Sequence, residues 1–294
     1  MKYWGKSLQL IEGCTPVSAG CDNCWSASMT HRFKEGFVVN GKFNSMIRIN
    51  DSKLDLPLKT RKPTVFSVWN DLFHEGVPAE FIIQAFEVMD VCNGQRTLTP
   101  KGWRTYATHT FLILTKRPER IHPVLFGKEG NYYLGSGDYI ENVWLGTSVE
   151  NQEQADIRIP LLIKSADYFP KFISIEPMLS AINLYQYFWT AGGQKANNIH
   201  QVICGGETGR DTRPLHPDWV RSLRDQCQAA EVPFFFKGWG TRRCRCYINS
   251  SMSHRVAKGL HGGYDCPIHD LGQDKNLHSL DGRTHDSLIW RQNV

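Results

Sequence analysis

The sequence predicts an α/β protein, a full or partial (β/α) barrel of about six parallel strands with a polar C-terminal extension. Three observations predict it. Short apolar runs alternate with longer amphipathic ones over residues 1–240, the rhythm of strand followed by helix. Each predicted strand ends on a polar or charged group. The chain has 294 residues, enough to close one large barrel.

Taken in order, strands are predicted at Leu8–Ile11, Val65–Trp69, Thr110–Leu114, Val143–Gly146, Phe172–Ile175, Gln201–Cys204 and Pro233–Phe236. Helical patterns fall between many of them. Ala79–Val91 follows Pro78 and puts Phe81, Ile82, Ala85, Phe86 and Met89 on one face. Pro217–Ala230 has Trp219, Val220, Leu223 and Cys227 at helical spacing. Gln152–Ser165 is similar, with Pro160 expected to interrupt it. Straight after Cys24 the chain turns helical, with Trp25, Met29 and Phe33 spaced for one buried face.

Barrels of this kind gather their chemistry at the C-terminal ends of the strands. Those positions here are Asn70 and Asp71, then Thr115, Lys116 and Arg117, then Ser148 and Glu150. Glu176, the run Gly205-Gly206-Glu207, and Lys237 follow on later strands. Each alone reads plainly as an exposed loop residue; their recurrence from strand to strand favours a site. Lys116, Arg117 and Lys237 are candidate substrate contacts. For the Lys116-Arg117 step, a phosphate or carboxylate clamp competes with an ion pair to Glu119 or another strand-end acid.

The organisation predicted is a barrel over 1–240 and an extension over 241–294, rich in Arg, His, Gly and Asp. The extension either covers the barrel or is partly disordered. It carries Cys244, Cys246, Cys266 and His269, a candidate second metal site for zinc or an auxiliary iron–sulfur cluster. Surface thiols are the plainer reading.

Composition narrows the class. Apolar residues make up 41% and charged residues 21%, as in a globular protein. No apolar run reaches the ~18 residues of a membrane span, and the opening residues lack the apolar core of a secretory signal. A cytoplasmic protein is expected. Its nine cysteines then point to reduced thiols, metal ligation or burial rather than disulfides. Cys92, Cys204 and Cys227 lie in or beside apolar segments and read as buried hydrophobes. The net charge of +5 is compatible with a nucleic-acid or phosphate-bearing partner but does not argue for one alone.

Cys14, Cys21 and Cys24 are different. They cluster in one loop with Gly13 and Gly20 before the first two and Pro16 between. A closed zinc site or a simple cubane cluster takes four protein ligands. Three suggest an iron–sulfur cluster with one iron left open. The position of Cys24 at the start of a helix is expected to lower its thiol pKa. Three other readings stay open: a zinc site completed by a distant histidine such as His31, a redox pair Cys21-x-x-Cys24 with Cys14 spare, and chance burial.

The run from Gly13 to Trp25 resembles the start of a phage-associated family of unknown function (Gp37/Gp68-like, DUF5131). Matching stretches are Asp71-Leu72-Phe73-His74, Leu114-Thr115-Lys116-Arg117-Pro118-Glu119-Arg120 and Gly205-Gly206-Glu207-Thr208-Gly209. The segments from Pro233 to Gly240 and from Leu280 to Arg283 complete the resemblance, which spans almost the whole chain. The family in turn resembles radical S-adenosylmethionine enzymes, including spore photoproduct lyase, in its three-cysteine start and barrel pattern. The chain departs from their usual Cys-x3-Cys-x2-Cys by a first gap of six residues, and by Asn23 where an aromatic commonly precedes the third cysteine.

The resemblance implies a barrel of the radical S-adenosylmethionine type. It also implies a [4Fe–4S] cluster on Cys14, Cys21 and Cys24, with the methionyl end of S-adenosylmethionine on the fourth iron. Asp71, Ser148, Glu150 and Glu176 suit the cofactor's amino group and ribose hydroxyls by residue type and position. Gly205 and Gly206 would let backbone approach the adenosyl group, and Glu207 either joins them or only caps its turn. A reduced cluster would cleave the cofactor to a 5′-deoxyadenosyl radical, fed by an electron donor such as flavodoxin or ferredoxin.

The expected activity is a radical isomerisation of a hypermodified thymine substituent in phage DNA, in the host cytoplasm if phage-encoded. DNA repair akin to that of spore photoproduct lyase is the alternative within the same chemistry. A non-catalytic, zinc-stabilised nucleic-acid-binding protein is the alternative of another class.

Overall fold

The computed structural model describes residues 2–100, 102–130, 139–196, 198–209, 211–244, 268–270 and 278–291. Seven strands form one parallel sheet: β1 (Lys6–Leu8), β2 (Thr64–Val68), β3 (His109–Thr115), β4 (Val143–Ser148), β5 (Lys171–Ile175), β6 (Gln201–Gly205) and β7 (Phe234–Gly238). They pair in sequence order, with β1 and β7 at the edges, and the sheet curls into a half-barrel. The partial barrel is thus the form adopted, and its seven strands correspond to the seven predicted segments. Register is fixed by pairs such as Leu112 with Trp144 and Gly146 with Phe172.

Among the described residues, seven helices connect and cover the strands: α1 (Trp25–Phe33), α2 (Leu56–Lys59), α3 (Ala79–Val91), α4 (Ile121–Phe126), α5 (Gln152–Ser165), α6 (Tyr185–Phe188) and α7 (Pro217–Ala229). The apolar face of α3 is buried as its periodicity predicts. At the start of α7, the His216 side chain accepts from the Asp218 N–H at 3.1 Å, and Pro217 takes the first turn, where its missing N–H costs nothing. α5 is capped by Asn151, whose side chain accepts from the Gln154 N–H. Contrary to expectation, α5 runs unbroken through Pro160. Burial of Ala155, Ile159 and Leu162 on either side outweighs the lost backbone bond, each larger side chain contributing about 1.5–3 kcal/mol.

The strand predicted at Leu8–Ile11 is split. Lys6–Leu8 joins the sheet, while Ile11–Glu12 leaves it to pair antiparallel with Arg48–Ile49. Buried Glu12 bonds Arg48 and Lys34, which anchors that departure and starts the cysteine loop.

Period-two alternation sorts the strand side chains. Phe66, Phe111, Leu145, Ile173, Val202 and Phe236 face the helices and form the main core, which also takes Cys92, Cys204 and Cys227. Val65, Leu112, Trp144, Phe172, Ile203 and Phe235 face the barrel interior. The described end of the chain returns to plug that interior. Trp290 lies with ring centroids 5.1 Å from Trp144 and 5.7 Å from Phe172, and its indole N–H donates to the Tyr3 carbonyl at 3.1 Å. These contacts lie toward the N-terminal ends of the strands, leaving the other end open.

The helix after Cys24 forms as expected, but its expected buried face does not. Trp25 (42%), Met29 (38%) and Phe33 (75%) are all exposed. α1 packs through the opposite side, with Ala27 against Phe37 and Phe43. Two phenylalanines from the following hairpin leave room there only for a small residue.

Candidate functional site

A cavity of about 220 Å³ opens at the C-terminal ends of the strands. Cys14, Cys21 and Cys24 all line it from the loop between β1 and α1. That loop needs glycine at position 13, where φ is +89° and a Cβ would stand 1.8 Å from the Met46 carbonyl oxygen. Cys24 is the N-cap residue of α1.

The three thiols differ in their surroundings. Burial, then the Asp71 carboxylate, push the Cys14 thiol up to about 12. Burial also leaves Cys24 above the ordinary thiol value, despite the opposing backbone groups of Ala27 and Ser26. The expected lowering of Cys24 by the helix terminus is therefore overturned. Cys21 is the thiol that is lowered: burial opposes ionisation there, but the Lys116 ammonium and the backbone at Val17 and Ser18 outweigh it.

The loop is held from two sides. Beneath it, Lys116 Nζ lies 3.5 Å from Cys21 Sγ, 3.3 Å from Ser18 Oγ and 3.7 Å from a Glu150 carboxylate oxygen. Glu150 is buried and accepts from Arg158 at 3.1 Å and from the Gly20 N–H at 3.4 Å. Burial raises its pKa, but Lys116, Ser18 and Arg158 outweigh that and hold the carboxyl below its ordinary value. On the outer side, Glu207 accepts from Asn23 at 3.0 Å and from the Arg213 backbone N–H at 2.7 Å, and it pairs with the Arg213 guanidinium. Arg213 also donates to the Ala19 carbonyl at 2.7 Å. Glu207 thus both caps its turn and ties down the cysteine loop.

Asp71 is saturated by its own fold. It accepts from Thr115 Oγ1 at 2.6 Å, the Phe73 N–H at 3.1 Å, the Lys116 N–H at 3.2 Å and Arg117 Nη1 at 2.9 Å. Arg117 further pairs with Glu75 at 2.6 Å and donates to the Thr15 carbonyl at 3.2 Å. Both residues line the cavity, yet their contacts are those of a structural ion pair, with Asp71 and Glu75 in place of Glu119. His74 Nδ1 accepts from the Gly76 N–H, so Nε2 carries the proton and donates to Thr15 Oγ1 at 2.7 Å, beside Cys14.

Glu176 and Lys237 form the opposite wall. Their charged groups are 2.6 Å apart, and the second Glu176 oxygen accepts from Ser174 at 3.0 Å and Tyr3 at 3.2 Å. Lys237 Nζ stands 5.7 Å and 5.9 Å from the Tyr3 and Trp4 ring centroids. Ser148 is buried and faces the cavity. A Cβ on Gly206 would lie 2.1 Å from the Trp239 carbonyl oxygen, so this glycine serves a close packing of two backbones. Gly205 lies 3.4 Å, by the same measure, from Glu176 and from Lys237.

The predicted strand-end residues therefore do converge, but mostly on one another. Arg158, Arg213, Tyr3 and Trp4 also belong to the site and are not among the predicted residues. The Tyr3-Trp4 doublet before the first strand was a readable signal; nothing local marks the two arginines. His31 lies exposed on α1. Cys246, Cys266 and the side chains of Cys244 and His269 lie outside the described residues. Among the described residues, no three His, Cys, Asp or Glu side chains are gathered closely enough to hold a single metal ion. Nor is any helix among them long and apolar enough to cross a membrane.

A family described as a protein of unknown function (DUF5131) matches residues 1–289. The chain belongs to that family. No curated protein and no solved structure is detectably similar to it. The stretches that carry the family resemblance meet in space: Lys116 touches Cys21, Arg117 holds Asp71, Arg120 donates to the Phe73 and Val77 carbonyls, and Glu207 holds Asn23.

Proposed function

We propose that this family member is a radical S-adenosylmethionine enzyme, with a [4Fe–4S] cluster held by Cys14, Cys21 and Cys24. The observation that carries the reading is the set of three thiols from one loop, all on one cavity at the strand ends and backed by a cation. The donor set fits the group. Thiolates are the ligands such clusters take, and a four-iron cluster needs its sulfurs spread more widely than a single ion does. When bound, the cluster and S-adenosylmethionine supply a one-electron cleavage that yields 5′-deoxyadenosine after hydrogen abstraction.

The chain's own residues bind, orient and shield. Gly20 and Ser18 fold the cysteine loop over Lys116 and Glu150. Ser148 offers a hydroxyl to the cofactor, and the Glu176–Lys237 pair offers a carboxylate and an ammonium to polar groups entering the cavity. Asp71, Glu150 and Glu207 act instead by holding the loop and strand ends in place. The substrate we propose is a nucleobase of phage DNA, a thymine with a hypermodified 5-substituent that is rearranged. Support for that class is the net charge of +5 and the Tyr3, Trp4 and Trp25 rings lining the cavity.

The test is to incubate reconstituted protein with S-adenosylmethionine, a reductant and DNA carrying the modified thymine, and to weigh the nucleosides. A mass-neutral change accompanied by 5′-deoxyadenosine supports isomerisation. Loss of mass from the nucleoside indicates a lyase instead, and unchanged nucleosides contradict the substrate assignment.

A further inference from the structure

We infer that Lys116 is a positioning residue for the cluster ligand Cys21, held against that one sulfur so that its charge raises the cluster's reduction potential. The inference rests on the cluster reading above. It concerns a residue whose position after a barrel strand otherwise suggests a substrate clamp.

The geometry is specific. The Lys116 side chain is mostly buried, and its ammonium meets a thiol, a hydroxyl and a carboxylate: Cys21 Sγ at 3.5 Å, Ser18 Oγ at 3.3 Å and Glu150 at 3.7 Å. Gly20 makes the approach feasible, since a Cβ there would stand 2.8 Å from Lys116 Nζ and 3.1 Å from the Glu150 carboxyl carbon. Glu150 is itself fixed by Arg158 and by the Gly20 N–H, and it ties the ammonium of Lys116 to Cys21 at the cavity wall. A phosphate clamp needs donors turned to the ligand; this ammonium is turned to the ligand loop.

Among the described residues, neither of the other two thiols takes a hydrogen bond from a cation, and Lys116 reaches Cys24 only through its field. Cys14 sits beside the Asp71–Arg117 pair, whose charges oppose each other, and Cys24 sits at the start of α1. A three-thiolate cluster is an anion that gains negative charge on reduction. A fixed cation in a partly buried site favours the reduced form, because charge near the cluster and hydrogen bonds to its sulfurs set the potential. Lys116 supplies both at Cys21.

The experiment is an anaerobic redox titration of the reconstituted full chain, followed by electron paramagnetic resonance without substrate. Lys116→Met removes the charge at similar size, and Lys116→Arg keeps it. The expected result is wild-type iron content in both, a more negative midpoint potential in Lys116→Met, and a return toward the wild-type value in Lys116→Arg. An unshifted potential in Lys116→Met overturns the inference while leaving the cluster reading intact. Should Lys116→Met hold little iron, Lys116→Gln, which keeps a donor for Ser18 without the charge, is expected to show the same negative shift, and an unshifted value there overturns it equally. Wild-type protein that takes up no iron overturns the cluster reading and this inference together.

Discussion

Glu207 accepts a hydrogen bond of 3.0 Å from Asn23, joining the end of the sixth barrel strand to the residue just before the third clustered cysteine. The same carboxylate holds Arg213, which reaches Ala19 and Asp22 on the same loop. Glu207→Ala is therefore expected to loosen the loop rather than to remove a cofactor contact. A loss of roughly 2 kcal/mol is expected, below the range for wholly buried pairs because Arg213 regains water. Urea denaturation checks the stability. Iron uptake by the variant is expected to fall, with Glu207→Gln retaining more of it.

Asp71 and Arg117 are both buried and directly paired. Asp71→Asn keeps the shape but removes the charge facing the guanidinium, and a cost of about 3 kcal/mol is expected. The loss should be measurable in the absence of S-adenosylmethionine. A variant of wild-type stability that binds S-adenosylmethionine more weakly would make Asp71 a ligand instead.

Gly205 and Gly206 are adjacent but unequal. Gly206→Ala places a methyl group on the Trp239 carbonyl, so a loss of more than about 2 kcal/mol or of soluble protein is expected. The Cβ of Gly205→Ala meets ordinary contact distances at the Glu176–Lys237 pair. Thermal melts should show Gly205→Ala close to wild type and Gly206→Ala far below it.

Acid should weaken the fold before the carboxylates titrate. Burial lowers the pKa values of His109, His200 and His285 below the ordinary 6.5. The unfolded chain then takes up protons first, so this stability is complete above pH 6.5 and declines as pH falls below it. His109 is the clearest case. Its Nε2 donates to the Pro57 and Thr60 carbonyls at 3.0 Å and 3.2 Å, while Nδ1 is buried without a partner among the described residues. Melting temperature is expected to drop between pH 7.5 and 5.5, and by less in His109→Gln.

The barrel was legible because its signals are local. Four- and five-residue apolar runs and the spacing of Phe81, Ile82, Ala85, Phe86 and Met89 need only neighbours along the chain to be read. The strand-end acids were legible as a group, but their partners were not. Whether Asp71 faces a ligand or Arg117, and whether Glu207 faces a cofactor or Asn23, is settled by sheet curvature and by contacts across 46 and 184 residues. The spacing of Trp25, Met29 and Phe33 defined a helix face correctly but not its direction. The small residue Ala27, on the packed side, was the quieter signal. The lowered thiol was likewise placed at Cys24 from a helix terminus, whereas a lysine far along the chain moves it to Cys21.

The most direct test is anaerobic purification of the full chain and of Cys21→Ala, with iron, sulfide and zinc determined and each protein then incubated with S-adenosylmethionine and dithionite. The expected result is a brown wild-type protein with about four irons per cluster that forms 5′-deoxyadenosine, and a Cys21→Ala protein that does neither. A colourless wild-type protein holding zinc, with no 5′-deoxyadenosine formed, would overturn the assignment of a cluster to Cys14, Cys21 and Cys24.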